Sequence, residues 1–421
     1  MNSFPGDPDI LVIGAGAAGI AAARAIQAAG RSVAVLEARP RPGGRAWTNT
    51  ETLGAPYDLG ATWLHCADEN PLVGLAARQG VTLIDSDAVR REHTRIGRRA
   101  VTARQDAAYL AAWAAMEARI EAAAAGPDVS LAAGAGFAGP WGPTMAQWQG
   151  DIISAAPVAR ISLRDFHANA LVGGNRLPEH GLGAFIVALA AGLPIRLAAP
   201  VTRLAWGGSH AVAEGPFGTI RARAVIATLP TSLLAADALR FDPPLPPEVM
   251  QAAHDLPLGT VAKAGFRVVG EDRLGLAPFT SCDRRVTADE SLVAMSFWAF
   301  GRPILSCHVG GDAAAGLERE GDAAVEAFIR GEIAVRFGVK AARLFRPGAL
   351  VSSWLRDPWS RGVYSYARIG CAGARAILAT PLAEGRLCLA GEACDIGQAG
   401  TVGGAWRSGE AAAKAALATL G

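Results

Sequence analysis

The stretch ILVIGAGAAG, residues 10–19, decides the fold of this 421-residue chain. Its apolar run predicts a buried strand that ends in a glycine turn, and the alanine-rich residues after it predict a helix closed by Gly30. A second apolar strand, Ser32 to Leu36, ends at Glu37. A βαβ unit of this kind, within ~30 residues, is typical of a parallel sheet that binds a dinucleotide.

Each glycine of the turn has its own steric role. Gly14 allows the tight turn, Gly16 lets the backbone approach a pyrophosphate, and Gly19 lets the helix pack closely on the strand. The helix N-terminus offers free N–H groups and a positive dipole end to the phosphates. The Glu37 carboxylate would accept hydrogen bonds from ribose hydroxyls. We therefore predict a dinucleotide site here.

A second cluster follows directly, with Arg39, Gly43, Gly44 and Arg45. The two glycines would let the backbone pass close to a cofactor. Arg45 would place a forked positive charge near the pyrophosphate. Proteins that bind NAD have no general need for this cluster.

Composition excludes several classes of protein. With 51% hydrophobic and 19% charged residues, the chain is too apolar to be disordered and long enough for two or three domains. The 40 basic and 38 acidic side chains nearly cancel, which argues against a nucleic-acid partner. No uninterrupted apolar run of ~20 residues predicts a membrane span.

The cysteines and histidines predict neither a metal site nor disulfides. The six cysteines contain no C-x-x-C pair, and the seven histidines show no ligand spacing. Reduced thiols fit a cytoplasmic protein. Three residues are lysine, namely Lys263, Lys340 and Lys414. Lys263 lies in an otherwise apolar strand, where an ammonium needs a partner or a lowered pKa.

The C-terminal stretch LAGEACDIGQAGTVGGAWRSGEAAA, residues 389–413, resembles the closing motif of flavin monoamine oxidases, polyamine oxidases and flavin histone demethylases. The arginine and diglycine cluster resembles the motif of two-glycine FAD-binding oxidoreductases. Taken together, the chain resembles the flavin-containing amine oxidase family over essentially its whole length, and its motifs are most similar to those of polyamine oxidases.

The resemblance implies an α/β fold, in which a two-glycine-type FAD-binding Rossmann-like domain is interleaved with a mixed sheet-plus-helices substrate domain. We predict that residues 1–75, 190–255 and 376–421 form the FAD domain. Residues 76–189 and 256–375 would form the substrate domain, with the active site at the junction.

The resemblance also assigns cofactor contacts. Glu392 would reach the ribityl chain, Val201 the adenine, and the start of the last helix the flavin ring. The full predicted set is Gly14, Gly16, Ala17, Ala18, Gly19, Glu37, Arg39, Gly43, Gly44, Arg45, Gly60, Ala61, Thr62, Val201, Trp354, Trp359, Gly391, Glu392, Thr401, Val402 and Ala405. Val363 falls where monoamine oxidases carry the cysteine that bonds the flavin, so we predict non-covalent FAD.

Five residues are predicted at the reacting centre: Lys263, Tyr364, His65, Trp63 and Thr401. In the family, the position of Lys263 holds a water at the flavin. Tyr364 matches one of two aromatics that flank the amine, and Thr401 takes the place of the other. His65 falls at a polar substrate-contacting position. The nearby acids Asp68 and Glu69 could attract a polycation, although a solvated loop is the simpler interpretation.

We therefore predict an FAD-dependent amine oxidase that converts a polyamine-like amine to an imine and aldehyde, with O2 reduced to H2O2. The partners are a small amine and O2, with no nucleic acid or membrane, in a monomer or homodimer. Two alternatives stay open: another two-glycine flavoenzyme, similar to desaturases or protoporphyrinogen oxidase, and an amine dehydrogenase with a different acceptor. The identity of the amine and the C–N bond that is cleaved are not encoded in these motifs.

Overall fold

The structure, a computed structural model, describes residues 6–421. Strands β1 to β20, numbered along these residues, are Ile10–Ile13, Val33–Leu36, Thr48–Asn49, Tyr57–Asp58, Leu83–Asp85, Arg91–Ile96, Arg99–Ala100, Arg176–Pro178, Ile195–Arg196, Arg203–Ala205, Ala211–Gly215, Gly218–Ala222, Ala224–Ala227, Arg240–Asp242, Val261–Arg267, Thr280–Arg284, Val293–Phe297, Ile304–Gly310, Leu350–Val351 and Leu387–Leu389.

Helices α1 to α15 are Ala17–Ala28, Pro71–Arg78, Ser86–Val89, Ala103–Ala124, Leu131–Ala135, Gly142–Gln147, Leu163–Ala168, Leu182–Ala188, Thr231–Ala235, Pro247–Asp255, Gly311–Glu320, Asp322–Phe337, Val339–Ala342, Ala374–Ala379 and Val402–Ala418. A π-helical turn, Trp148–Ser154, continues α6. Within residues 6–421, no helix is both long and apolar enough to cross a membrane.

A five-stranded parallel sheet carries the glycine turn, which confirms the predicted α/β class. Its order is β20-β13-β1-β2-β9, and every neighbouring pair runs parallel. All four residues of β1, β2 and β13 are buried, as expected for strands covered on both faces. Helices α1 and α15 pack closely, since a Cβ at Gly409 would lie 2.1 Å from the Ala18 carbonyl oxygen.

A seven-stranded sheet forms the second layer, in the order β19-β15-β18-β17-β16-β6-β7. Helix α12 covers one face with Val325, Ile329 and Ile333, whose spacing of about four residues puts them on one side of the helix. The Lys263 strand, β15, lies between β18 and β19 and is not an edge of the sheet.

The order of the sheets corrects one local prediction. In the sequence, the apolar stretches from Ile195 to Trp206 and from Gly218 to Thr228, with the Gly207-Gly208 turn between them, predict a strand pair. Instead β10 pairs with β11, and β11 pairs with β12, all antiparallel. Strands β9 and β13 belong to the parallel sheet, so both predicted strands divide between two sheets.

A second correction concerns residues 70–125, whose alanine-rich sequence predicts helix. This stretch contains α2 and the long α4, but also β5, β6 and β7. Strand β6 pairs in parallel with β16, from Arg91 opposite Thr280 to Arg95 opposite Arg284. The five strands of the parallel sheet come from residues 10–36, 195–227 and 387–389. The domain boundaries themselves stay a prediction.

Candidate active site

A cavity of about 1250 Å³ opens between the parallel sheet and the seven-stranded sheet. It is lined at one end by the glycine turn after β1 and at the other by side chains of β15, β17 and β18. Every residue predicted for the site lines this cavity except Gly19. The sequence motifs, which are scattered over nearly 400 residues, therefore meet in one space.

The glycine turn leaves room for a dinucleotide where side chains would block it. Gly14 has φ +104°, and a Cβ there would lie 2.3 Å from Thr228 Oγ1. A Cβ at Gly19 would lie 1.9 Å from the Gly14 carbonyl oxygen, which explains why Gly19 packs inside the wall and not on its surface. A Cβ at Gly16 would meet no atom closer than Gly44 Cα, 4.0 Å away, so the cavity face there is open.

The acid after β2 is fixed by main-chain donors. The Glu37 carboxylate accepts from Ala15 N at 2.7 Å and from Arg39 N at 2.8 Å. The Arg39 guanidinium donates to Asp357 and Ser360, while its buried Nε has no hydrogen-bond partner within residues 6–421. Arg39 also lines the cavity, so its guanidinium places a positive charge in the wall, as an anionic cofactor requires.

Arg45 and Glu392 form an ion pair in the same wall, with Nη1 and Oε1 3.0 Å apart. Ser365 Oγ donates to Glu392 at 2.7 Å, and Arg375 in turn donates to Ser365 Oγ at 2.8 Å. Burial alone would raise the pKa of Glu392, but the Arg45 and Arg375 guanidiniums outweigh it and hold that pKa below its usual range. Glu392 is therefore ionised and presents a fixed carboxylate beside the cofactor space.

Helix α15 begins at the cavity. Thr401 caps it, because its Oγ1 accepts from Gly404 N at 2.9 Å while donating to the Gln398 carbonyl at 2.7 Å. Val402 and Ala405 of the first turn line the cavity. The helix N-terminus thus directs its positive dipole end at the space where the resemblance placed the flavin ring.

Lys263 is 5% exposed. Its Nζ donates to Thr62 Oγ1 and to the Gly60 carbonyl oxygen at 3.3 Å, and lies 5.3 Å from the centre of the Tyr57 ring. Burial lowers the pKa of Lys263 to about 8, against the opposing charge of Asp58. The expected partner and the expected lowered pKa are both present, in the wall of the cavity.

His65 is held in one tautomer by a two-step relay. Asn175 Nδ2 donates to the Asp87 carboxylate at 3.0 Å, so Asn175 must face His65 with its oxygen. That oxygen lies 2.7 Å from His65 Nδ1, which must then carry the proton and donate. Burial lowers the pKa of His65, so the ring is neutral and its Nε2 is an acceptor.

Aromatic rings border the same end of the cavity. The Trp63 ring stacks on His65 with centroids 6.3 Å apart and lies 6.2 Å from His308. Tyr364, in the opposite loop, donates from its hydroxyl to the Ile152 carbonyl at 2.6 Å. Asp68 and Glu69 are exposed and do not line the cavity, so the idea that they attract a polycation there is not supported.

The motifs did not identify several residues of the site. Asn175 and Asp87 hold His65, and Tyr57 lies beside Lys263. In the sequence, Tyr57 is marked only by its position three residues before Gly60, the first of the predicted residues Gly60 to His65. No motif includes Asn175 or Asp87. Within residues 6–421, no group of three or more histidine, cysteine or acidic side chains could hold a metal ion.

The family model described as flavin containing amine oxidoreductase matches residues 17–136 and 154–417. The chain belongs to this family. Its cofactor is FAD, and it acts as an oxidoreductase on amines, as predicted from the motifs. The glycine turn, the Arg39 guanidinium in the cavity wall and the N-terminus of α15 fit that cofactor.

Three relatives of known name support the assignment to this family. Polyamine oxidase 5 of Oryza sativa subsp. japonica is 30% identical over 98% of this chain and 88% of its own length. Probable polyamine oxidase 4 of Arabidopsis thaliana is 29% identical, over 86% and 78%. Lysine-specific histone demethylase 2 of Homo sapiens is 25% identical, over 95% of this chain and 52% of its own. These names favour amine oxidation over the desaturase-like alternative.

A solved structure of a putrescine oxidase triple mutant has the same fold. It superposes with a TM-score of 0.78 at 22% sequence identity and covers 98% of this chain and 99% of its own.

Proposed function

We propose that this flavin amine oxidoreductase oxidises a polyamine-like substrate, with O2 as the electron acceptor. The observation that carries the proposal is that three of the four exposed charged side chains lining the cavity in the described chain are acidic, the fourth being Arg90. The three are Asp87, Glu117 and Glu121, and the two glutamates lie one turn apart on α4. A substrate with a second positive charge would be attracted there while its reacting amine lies near Lys263. The named polyamine oxidase relatives support the same substrate class.

His65 prepares the reacting amine. An amine can lose a hydride from its α-carbon only when its nitrogen lone pair is free, so the neutral amine is the reactive form. The neutral His65 ring offers Nε2 as an acceptor for an amine N–H, because Nδ1 is committed to Asn175. Trp63 and Tyr364 would confine the amine between apolar surfaces and exclude bulk water.

FAD, when bound, would accept the two electrons of the oxidation as a hydride from the α-carbon of the amine. The residues that would hold it are the glycine turn, Glu37, Arg39, Arg45, Glu392 and the first turn of α15. Val363 has no atom that can bond covalently to a flavin, so we propose non-covalent FAD.

Lys263 would hold the water molecule that hydrolyses the imine. Two of its N–H groups are used by Thr62 and Gly60, which leaves one to hold a water in the cavity. That water would add to the imine carbon, and the tetrahedral adduct would collapse to an aldehyde and the shorter amine. In balance, amine, O2 and water give aldehyde, amine and H2O2.

We also propose a cytoplasmic location and a monomer or homodimer. The thiol chemistry supports the location, since all six cysteines lie in the described chain and are unpaired.

A substrate panel tests the function. Purified holoenzyme is mixed in air with a monoamine, a diamine, a triamine and a tetraamine, and peroxide release is followed. We expect the triamine or tetraamine to give the highest kcat/KM. Fast turnover with a dye acceptor but none with O2 would instead identify an amine dehydrogenase.

A further inference from the structure

Residues 137–153 lie between the two segments that match the family, yet they supply part of the cavity wall. This segment contains α6 and most of the π-helical turn Trp148–Ser154. Trp148, Gln149 and Ile152 of the turn line the cavity. A part of the chain outside the family match therefore faces the substrate space.

The turn leaves one carbonyl without a main-chain donor. In a π-helix, the carbonyl of Ile152 would accept from the residue five positions later. That residue is Pro157, which has no N–H. The N–H one position earlier, of Ala156, donates instead to the Gly150 carbonyl at 3.2 Å. The Tyr364 hydroxyl supplies the missing donor, 2.6 Å from the Ile152 oxygen.

The turn is a rigid support because its neighbours are packed against its backbone. A Cβ at Gly310 would lie 1.7 Å from the Asp151 carbonyl oxygen, and one at Gly259 would lie 2.3 Å from the Ala155 carbonyl oxygen. Thr260 N donates to that same Ala155 oxygen at 2.9 Å. Side chains larger than hydrogen are thus excluded at both glycines, and the Ile152 carbonyl has a fixed position.

Tyr364 is therefore held at two points. Its hydroxyl is bound to the turn, and its own carbonyl accepts from Gly259 N at 2.9 Å. Burial raises the pKa of Tyr364, so the hydroxyl keeps its proton and stays a donor. Since the hydroxyl proton is donated to Ile152, Tyr364 presents its ring to the substrate and has no donor left for it.

We propose that the π-helical turn Trp148–Ser154 is a positioning element, which fixes the ring of Tyr364 against the reacting amine through the Ile152 carbonyl that Pro157 leaves free. The inference rests on the proposed amine oxidation for its kinetic part. Its structural part, the anchor itself, does not depend on the identity of the substrate.

The test uses the FAD-loaded variants Y364F and P157A. Y364F keeps the ring and removes the anchor. P157A supplies an N–H that competes with the tyrosine for Ile152. The matched controls are Y109F, a half-buried tyrosine outside the cavity, and P347A in an exposed turn.

We expect Y364F to slow anaerobic flavin reduction at saturating amine about tenfold, which corresponds to ~1.4 kcal/mol of barrier. The amine concentration for half-maximal rate should change less than the rate does, because the ring still borders the site. P157A should slow reduction in the same direction by a smaller factor, and both controls should match the wild type. A purely structural role would lower the melting temperature and leave the rate unchanged.

A crystal structure of the holoenzyme gives a readout that needs no turnover. It should place the Tyr364 hydroxyl on the Ile152 carbonyl, and the ring should rotate in Y364F. A hydroxyl directed at the cofactor or solvent would overturn the proposal, as would wild-type reduction rates in Y364F. If no amine reduces the wild-type flavin, the proposed function fails, and the crystal structure still decides whether the anchor exists.

Discussion

Lys263 donates a hydrogen bond from Nζ to the hydroxyl oxygen of Thr62. This contact joins the seven-stranded sheet to the Gly60–Trp63 segment, on the cavity wall between them. The two oxygens that accept from Nζ, those of Thr62 and Gly60, are uncharged. Neutral acceptors offset the cost of burying an ammonium only in part, so its retention at 5% exposure indicates a role beyond stability.

Replacing Lys263 by methionine keeps the length and apolar character of the side chain and removes its charge. We expect K263M to retain FAD, while flavin reduction, reoxidation or both slow by at least tenfold, ~1.4 kcal/mol of barrier. Stopped-flow absorbance separates the two half-reactions. The matched control is K340M, at an exposed position. Unchanged turnover in K263M would remove the lysine from the mechanism.

Substitutions at two glycines of the turn should have different effects, one on cofactor binding and the other on folding. At Gly16 an added methyl meets no protein atom closer than 4.0 Å, so G16A should fold normally and weaken FAD binding by about tenfold or more, through contact with the phosphates. At Gly19 the same methyl would lie 1.9 Å from a carbonyl oxygen, so G19A should lower the unfolding free energy of the apoprotein by about 1–3 kcal/mol. Equal effects of both variants on stability would contradict this division.

We expect the hydrogen bonds from Asp87 through Asn175 to His65 to affect the kinetics. N175L removes the amide that fixes the tautomer, and it also removes a hydrogen bond that raises the pKa of His65. We expect kcat/KM to fall about tenfold or more. The acidic inflection of the pH profile should move to lower pH. Q79L, at an exposed amide, serves as the control. An N175L profile that coincides with the wild type would show that the relay has no role.

His308 should make the protein less stable in acid. Burial first, and then the charge of Lys263, lower the pKa of His308 to about 3. Between about pH 3 and the unfolded value of about 6.5, the unfolded state binds one more proton than the folded state, so stability falls as the pH falls by ~1.4 kcal/mol per pH unit. Denaturant unfolding of holoenzyme should show a shallower slope for H308Q than for the exposed-site control H93Q. Identical slopes would refute this assignment.

Non-covalent FAD can be checked without substrate. Val363 lines the cavity at the position that the resemblance assigns to a flavin-bonding cysteine in monoamine oxidases. Denaturation and filtration should therefore release all the flavin into the filtrate. Flavin fluorescence that stays with the chain on a denaturing gel would indicate a covalent bond elsewhere.

The sequence predicted those parts of the site that depend on local chain geometry. The glycine turn and the buried lysine each follow from a short stretch whose steric or polar requirement is evident in the residues, whereas the start of α15 at the cofactor was implied by the resemblance. The amphipathic spacing of residues 322–337 and the glycine that follows them, Gly338, likewise predict a helix, and α12 has these bounds, Asp322–Phe337.

The sequence could not predict contacts between distant segments. Strand β6 has the polar sequence REHTRI, and five of its six residues are held in the sheet by pairing with β16, nearly 190 residues later. The strand expected from Ile195 to Trp206 is divided because its first residues pair with β2 and its last with β11. Asn175 and Asp87 likewise have a role only because folding brings them to His65.

Anaerobic reduction of the bound flavin tests the central claim most directly. Holoenzyme is mixed with a triamine or tetraamine in the absence of O2, and the visible absorbance of oxidised flavin is followed. The account predicts rapid bleaching by the polyamine, slower bleaching by a monoamine, and recovery of the colour with release of peroxide when O2 is admitted. A flavin that stays oxidised with every amine, in a protein that holds FAD in full, would contradict it.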